Sequence, residues 1–214
     1  MYAALFGFYL QCELGGKMLN LYIIRHGQTD SNLKNTYLGK TDIPLNDTGI
    51  QQAKAAAVRF SDVEFDVIYS SPLIRAVQTA QEIADKRGLN IRLNYGIAER
   101  DYGVFDNLTM QEIEEKYPEE HSEWMRNWFD YVVPEGESAA GVHKRTGEAM
   151  DRITENYKDK NIALVTHLGA ARHMIANLLQ LRLEDTYRFA LDNCKAAVIT
   201  IDDDNRRTLI GLNI

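Results

Sequence analysis

The stretch Leu21–Asp30, LYIIRHGQTD, decides the fold: an apolar run with no polar alternation, followed without a spacer by Arg25, His26 and Gly27. An unbroken apolar run is the pattern of a strand covered on both faces, which calls for helices on either side of a mostly parallel sheet. The abrupt polar ending puts a potential nucleophile and a permanent positive charge where a strand meets a loop. In open α/β sheets, ligands bind at that kind of place.

Working outward, Val67–Tyr69 and Ile162–Val165 are further short apolar runs, and helical spacing separates them. Ile50, Ala53, Ala57 and Phe60 share one helix face, as do Leu73, Ala76, Val77, Ala80 and Ile83, and later Ala171, Met174, Ile175 and Leu178. Strand alternating with helix predicts an α/β fold, a three-layer α/β/α sandwich around a mostly parallel sheet. Asp47 reads as an N-cap, and Ser71 with Pro72 as the cap and first-turn proline of the next helix, whose positive end would face a phosphate. From about 102 to 134 the pattern becomes acidic, helical and Trp-containing, with six glutamates between Gln111 and Trp124. This predicts a small helical cap inserted over the sheet edge. A long helix from about Ser138 to Tyr157 follows, and Ala196–Asp202 with Thr208–Ile214 predicts a closing hairpin turning at Asp203–Asn205. Residues 19–214 are expected to form one domain.

Composition excludes several classes. The chain has 214 residues, 45% hydrophobic and 26% charged, with a net charge of −7. That balance excludes a sequence-independent nucleic-acid binder, which needs a basic face. Cys12 and Cys194 form no framework and show no metal-ligand spacing, so both read as free thiols in a reducing cytoplasm. Met1–Gly16 is apolar but lacks a basic leader and is too short to span a membrane. Because Met18 directly precedes the first strand pattern, residues 1–18 read as an N-terminal extension from a non-native start.

The chemistry gathers at strand ends. The first strand delivers Arg25 and His26; the second leads through Ser70 and Ser71 to Arg75; the strand ending at Val165 delivers Thr166 and His167. Arginine forks bind phosphate oxygens bidentately and stay charged, and an unprotonated histidine nitrogen can attack phosphorus. Gly27 and Gly169 would let backbone approach a ligand closely. His121, His143 and His173 have no motif around them and read as structural or solvated.

RHGQT at Arg25–Thr29, SSPLIRAVQTA at Ser70–Ala80, ERDYG at Glu99–Gly103 and THLG at Thr166–Gly169 resemble, in that order, the histidine phosphatase superfamily, in its phosphoglycerate-mutase-like branch. The resemblance runs from about Leu19 to Asp202. It implies a phosphohistidine mechanism with no metal and no cofactor. By the same resemblance His26 attacks phosphorus, Arg25, Arg75 and His167 hold the phosphoryl oxygens, Asn32 also contacts phosphate, and Glu99 serves as acid and then base. Asp101, two residues on, is the alternative acid. Gln28 stands where many members carry Glu.

The partner implied is a small-molecule phosphomonoester; no nucleic-acid or membrane partner is expected, and the oligomeric state is open. Mutases of this family follow the Glu99 motif with a longer basic insert, whereas Val104–Met110 has no basic residue and Arg100 is the only cation near it, which points to hydrolysis. Trp124, Trp128, Val133–Pro134 and Gly136–Ser138, with Phe189–Cys194 downstream, resemble α-ribazole phosphatases of cobalamin synthesis. The two tryptophans, four residues apart, are equally readable as the stripe that packs the cap. The alternatives are phosphoglycerate mutase, a broad sugar-phosphate phosphatase and a non-catalytic phospho-ligand-binding module.

Overall fold

Along the first strand, Leu19, Leu21 and Ile23 turn to one face of the sheet and Tyr22 and Ile24 to the other, and both sets are buried. That two-sided burial explains why the sequence there shows no polar alternation. The computed structural model describes residues 18–214. The expected N-terminal extension, apart from Met18, and Cys12 with it, lie outside the described residues.

Among the described residues the sheet has six strands: β1 (Leu19–Arg25), β2 (Val67–Ser70), β3 (Ile91–Leu93), β4 (Asn161–Thr166), β5 (Ala196–Ile201) and β6 (Arg207–Leu212), in the order β3-β2-β4-β1-β5-β6. The first four run parallel to one another; β5 pairs antiparallel with β1 and with β6. Short α1 (Asp30–Lys34) follows β1 directly. On one face α2 (Asp47–Arg59) and α3 (Ile74–Asp85) pack Ala53, Ala57, Phe60, Ala76, Ala80 and Ile83 against Ile24, Ile68 and Val165. On the other, α6 (Ala139–Asn156) and α7 (Leu168–Leu178) pack Ala149, Met150, Ile153, Met174 and Ile175 against Leu21, Ile23 and Leu164. The expected three layers are present, with a mixed, mostly parallel sheet at the centre.

Between these halves the chain forms α4 (Met110–Lys116) and α5 (Pro118–Arg126), separated where Pro118 opens a new first turn. Phe105, Ile113, Trp124 and Val133 are buried together as a separate small core under this segment. Among the described residues no helix is long and apolar enough to cross a membrane.

Three local expectations change. The N-cap of α2 is Asn46, whose side chain accepts from Gly49 N–H at 2.9 Å; Asp47 is the first helical residue, where its charge still suits the helix dipole. The helix after β2 starts at Ile74, not at Pro72, and its N-cap Leu73 makes no side-chain bond. Asp42 from a distant loop accepts from Ile74 N–H at 2.7 Å, so the positive end of α3 faces a carboxylate rather than a phosphate. The Ser71 hydroxyl accepts only at 3.4 Å from Leu73 N–H and makes its short contact, 2.7 Å, with His167 Nε2. The closing hairpin is shorter than read, its loop spanning 202–206, with Asp202 accepting from Asp204 N–H and Arg206 N–H. The three-residue strand β3, on the sheet edge, had no apolar run to announce it.

Candidate active site

His26 is 4% exposed at the end of β1, and its Nδ1 lies 2.6 Å from the Gly27 carbonyl. A carbonyl oxygen only accepts, so Nδ1 carries the proton and Nε2 keeps its lone pair. Burial, and then the charges of Arg75 and Arg25, hold the imidazole pKa well below its ordinary value of 6.5. The ring is therefore neutral and nucleophilic at neutral pH.

The other strand-end residues converge on it. The His167 ring centroid is 5.0 Å from that of His26. Arg75 Nε donates to His167 Nδ1 at 3.2 Å, which leaves the proton on Nε2 to be shared with Ser71 Oγ at 2.7 Å. Arg75 also donates to the carbonyls of Gly39 at 2.7 Å and Thr41 at 3.0 Å. Arg75 and His167 are both 0% exposed and are not among the residues lining the cavity, whose wall includes Arg25, His26 and Asn32. Arg25 is anchored by Leu191 O at 2.8 Å. Asn32 Oδ1 takes Thr29 N–H at 3.0 Å and the Asn193 amide at 3.4 Å, which turns its own NH2 group away from them. That orientation was not readable from sequence, because Asn193 lies 161 residues away.

Glu99 reaches the site from the loop after β3. Its Oε1 accepts from Arg100 N–H and Ala170 N–H, both at 2.9 Å, and its Oε2 from Gly169 N–H at 3.0 Å. The carboxylate thus sits on the N-terminus of α7 and lines the cavity. Asp101 does not line it; its carboxylate faces Lys40 at 3.3 Å and accepts from Gly103 N–H. Of the two glycines, Gly169 lines the cavity and Gly27 does not, and at both the absence of a side chain makes room for protein groups. A Cβ on Gly169 would come within 2.5 Å of Glu99 Oε1, and one on Gly27 within 2.6 Å of the Gly49 carbonyl. Their N–H groups are also taken, by Glu99 and by Thr79 Oγ1.

Above His26 opens a cavity of about 580 Å³, walled by Tyr37, Trp124, Trp128 and Tyr187 and flanked by Arg100, Arg172 and His173. Four buried side-chain nitrogens have no partner among the described residues: Arg25 Nε, Arg100 Nη2, Trp124 Nε1 and His173 Nδ1. All four belong to residues of this one wall. Leaving such groups unpaired costs about 1–3 kcal/mol each, so each is a place where a hydrogen-bond partner would be stabilising. His173, expected from the sequence to be structural or solvated, lines the cavity, and burial followed by the His143 charge pushes its pKa down to about 3. Arg172 was missed, and Arg100 is not the only cation near the substrate space. The missing signal was spacing: Arg172 sits five residues after His167, on the first turns of α7. The tryptophans separate in role. Trp124 is 2% exposed and belongs to the core under the cap, whereas Trp128 meets Tyr187 from the opposite wall, ring centroids 4.0 Å apart.

Residues 21–213 match the model of the histidine phosphatase superfamily (branch 1). The chain belongs to the histidine phosphatase superfamily. A phosphoserine phosphatase 1 from Hydrogenobacter thermophilus is 32% identical over 92% of this chain and 93% of its own length. The crystal structure of the α-ribazole phosphatase from Shigella flexneri superposes with a TM-score of 0.85 at 28% identity, over 91% of this chain and 96% of that one. A phosphoserine phosphatase from Entamoeba histolytica, in complex with 3-phosphoglyceric acid, superposes at 0.79 with 29% identity, over 92% and 97%. Histidine phosphatases are phosphatases or mutases, and the similar proteins support phosphatase activity here.

Proposed function

We propose that this histidine phosphatase hydrolyses a small phosphomonoester in two steps through a phosphohistidine at His26, without a metal. The observation that carries it is the Nδ1–Gly27 carbonyl bond, which fixes Nε2 of a neutral ring as the attacking atom. Arg25 and the Asn32 amide receive phosphoryl oxygens on the cavity wall. Arg75, with five N–H groups of which three are donated within the protein, stabilises the developing charge with the remainder, and His167 holds its guanidinium in place. Glu99 protonates the leaving alcohol and then activates the water that attacks the phosphohistidine. The arginines supply the charge stabilisation for which other phosphoryl-transfer enzymes use a cation. EDTA is accordingly expected to leave turnover unchanged, and loss of activity restored by a divalent ion would contradict the scheme.

What supports hydrolysis over isomerisation is that the cap adds no charge to the cavity wall through Met110, Trp124, Met125 or Trp128, which leaves Arg100 and Arg172, outside the cap, as its cations besides Arg25. For the leaving group we favour α-ribazole. The cavity is of a size that holds drug-sized ligands, and Trp128, Tyr187 and Tyr37 offer aromatic faces for a benzimidazole. One observation favours a second reading, a small carboxylate-bearing ester such as phosphoserine: Arg100 Nη2 is buried without a partner, stacked over Tyr102 and Trp124. A panel of α-ribazole 5′-phosphate, phosphoserine, 3-phosphoglycerate and sugar phosphates, assayed for phosphate release and for isomer formation, separates these. Release with preference for α-ribazole phosphate is expected; isomerisation without release would overturn the proposal.

A further inference from the structure

Glu99 lines the cavity from a loop three of whose backbone carbonyls are gathered by a single side chain. Arg145, on α6, donates through Nη1 to Gly96 O at 3.1 Å and Ala98 O at 2.8 Å, and through Nη2 to Glu99 O at 2.9 Å. Its two remaining N–H groups go to Glu137, Nε to Oε2 at 3.0 Å and Nη2 to Oε1 at 2.6 Å. All five donors of the guanidinium are therefore used. Glu137 completes the frame. Its Oε1 also accepts from Asp101 N–H at 3.0 Å, its own N–H donates to Asp101 O at 2.9 Å, and its carbonyl accepts from Arg100 Nε at 3.0 Å. Every residue from Ala98 to Asp101 is thus bonded to Arg145 or Glu137. Neither residue lines the cavity.

We propose that the Arg145–Glu137 pair is the positioning element for the acid–base step: it fixes the backbone that carries Glu99, and so sets the reach of the Glu99 carboxyl to the leaving oxygen. This rests on Glu99 being the acid. The planar fork of arginine is required because three carbonyls and a carboxylate must be met from one point, which the three donors of a lysine ammonium cannot do. The pair is about three-quarters buried, so its geometry is held by the surrounding protein rather than by solvent-exposed side chains. Proton transfer tolerates little displacement of the acid, so loss of the pair acts on that step before it acts on phosphate binding.

A structural role would slow all substrates alike; a positioning role would not. The test is kcat/KM across a series of aryl and alkyl phosphates of rising leaving-group pKa, since this parameter reports only the steps up to phosphohistidine formation, where the leaving group departs. For Arg145→Met we expect a loss of about 100-fold on alkyl phosphates with p-nitrophenyl phosphate nearly unaffected, as for Glu99→Gln. Arg145→Lys, which keeps the charge, is expected to steepen the same dependence to a smaller extent. Glu137→Gln provides the same reading at unchanged volume if Arg145→Met does not fold. An even loss across the series in the Arg145 or Glu137 variants, beside a steepened Glu99→Gln, overturns the positioning role. An even loss in Glu99→Gln itself overturns the acid reading, and the positioning role with it.

Discussion

In the proposed scheme one carbonyl determines which nitrogen of His26 reacts. Because Gly27 O takes the Nδ1 proton, no rearrangement of the ring is needed before attack, and His26→Ala is expected to abolish turnover with the fold retained, as near-native circular dichroism would show. The same burial carries a stability consequence. His26, His167 and His173 all have folded pKa values below 6.5, chiefly through burial, so below pH 6.5 the unfolded chain binds protons that the folded chain does not. Stability therefore falls as pH is lowered through 6.5, by up to about 1.4 kcal/mol per pH unit for each such histidine, and for His173 the loss continues down to about pH 3. Thermal melts should show a marked drop in Tm between pH 7 and pH 5. A pH-independent Tm over that interval would mean the rings are protonated in the folded state.

At the scale of elements, the N-terminus of α7 holds a protein carboxylate and not the substrate. Gly169→Ala would drive a methyl group to within 2.5 Å of Glu99 Oε1, so it is expected to cost activity on poor leaving groups while leaving Tm close to wild type. The junction between cap and core is testable separately. Trp128→Ala removes the ring facing Tyr187, and KM for an α-ribazole ester should rise with little change for p-nitrophenyl phosphate; equal changes would place the nucleobase analogue elsewhere. Elements with their own periodicity were legible: β1, β2, β4 and the long α6 lie within a residue or so of the positions their apolar pattern predicts. What misled was local chemistry recruited by distant chain. Ser71 has the residue type of a cap but gives its hydroxyl to His167, and Asp42, 32 residues from Ile74, caps α3 in its place. No local pattern encodes such an exchange.

Across the whole molecule, the parallel strands bring His26, Arg75 and His167 to one sheet edge from three distant segments, which is why four short motifs in order carried so much of the site. Their convergence follows from topology: β4 lies between β1 and β2, so the residues after all three emerge side by side. Arg172 carried only its spacing from His167, and His173 and Tyr187 carried no signal, because Tyr187 meets Trp128 of the cap in a contact with no period in the sequence. The sheet should also govern stability. Leu164, 0% exposed on the central strand β4, is expected to cost about 2–5 kcal/mol when cut to alanine, read from denaturant melts; a change under about 1 kcal/mol would show that this face relaxes around the loss. The central claim, that a phosphoryl group passes through His26, is tested most directly by rapid acid-free quench of the enzyme turning over a labelled phosphomonoester, followed by peptide mapping. The account predicts an acid-labile, base-stable label on the peptide containing His26 and none in His26→Ala. Label on another residue, or wild-type turnover by His26→Ala, would contradict it.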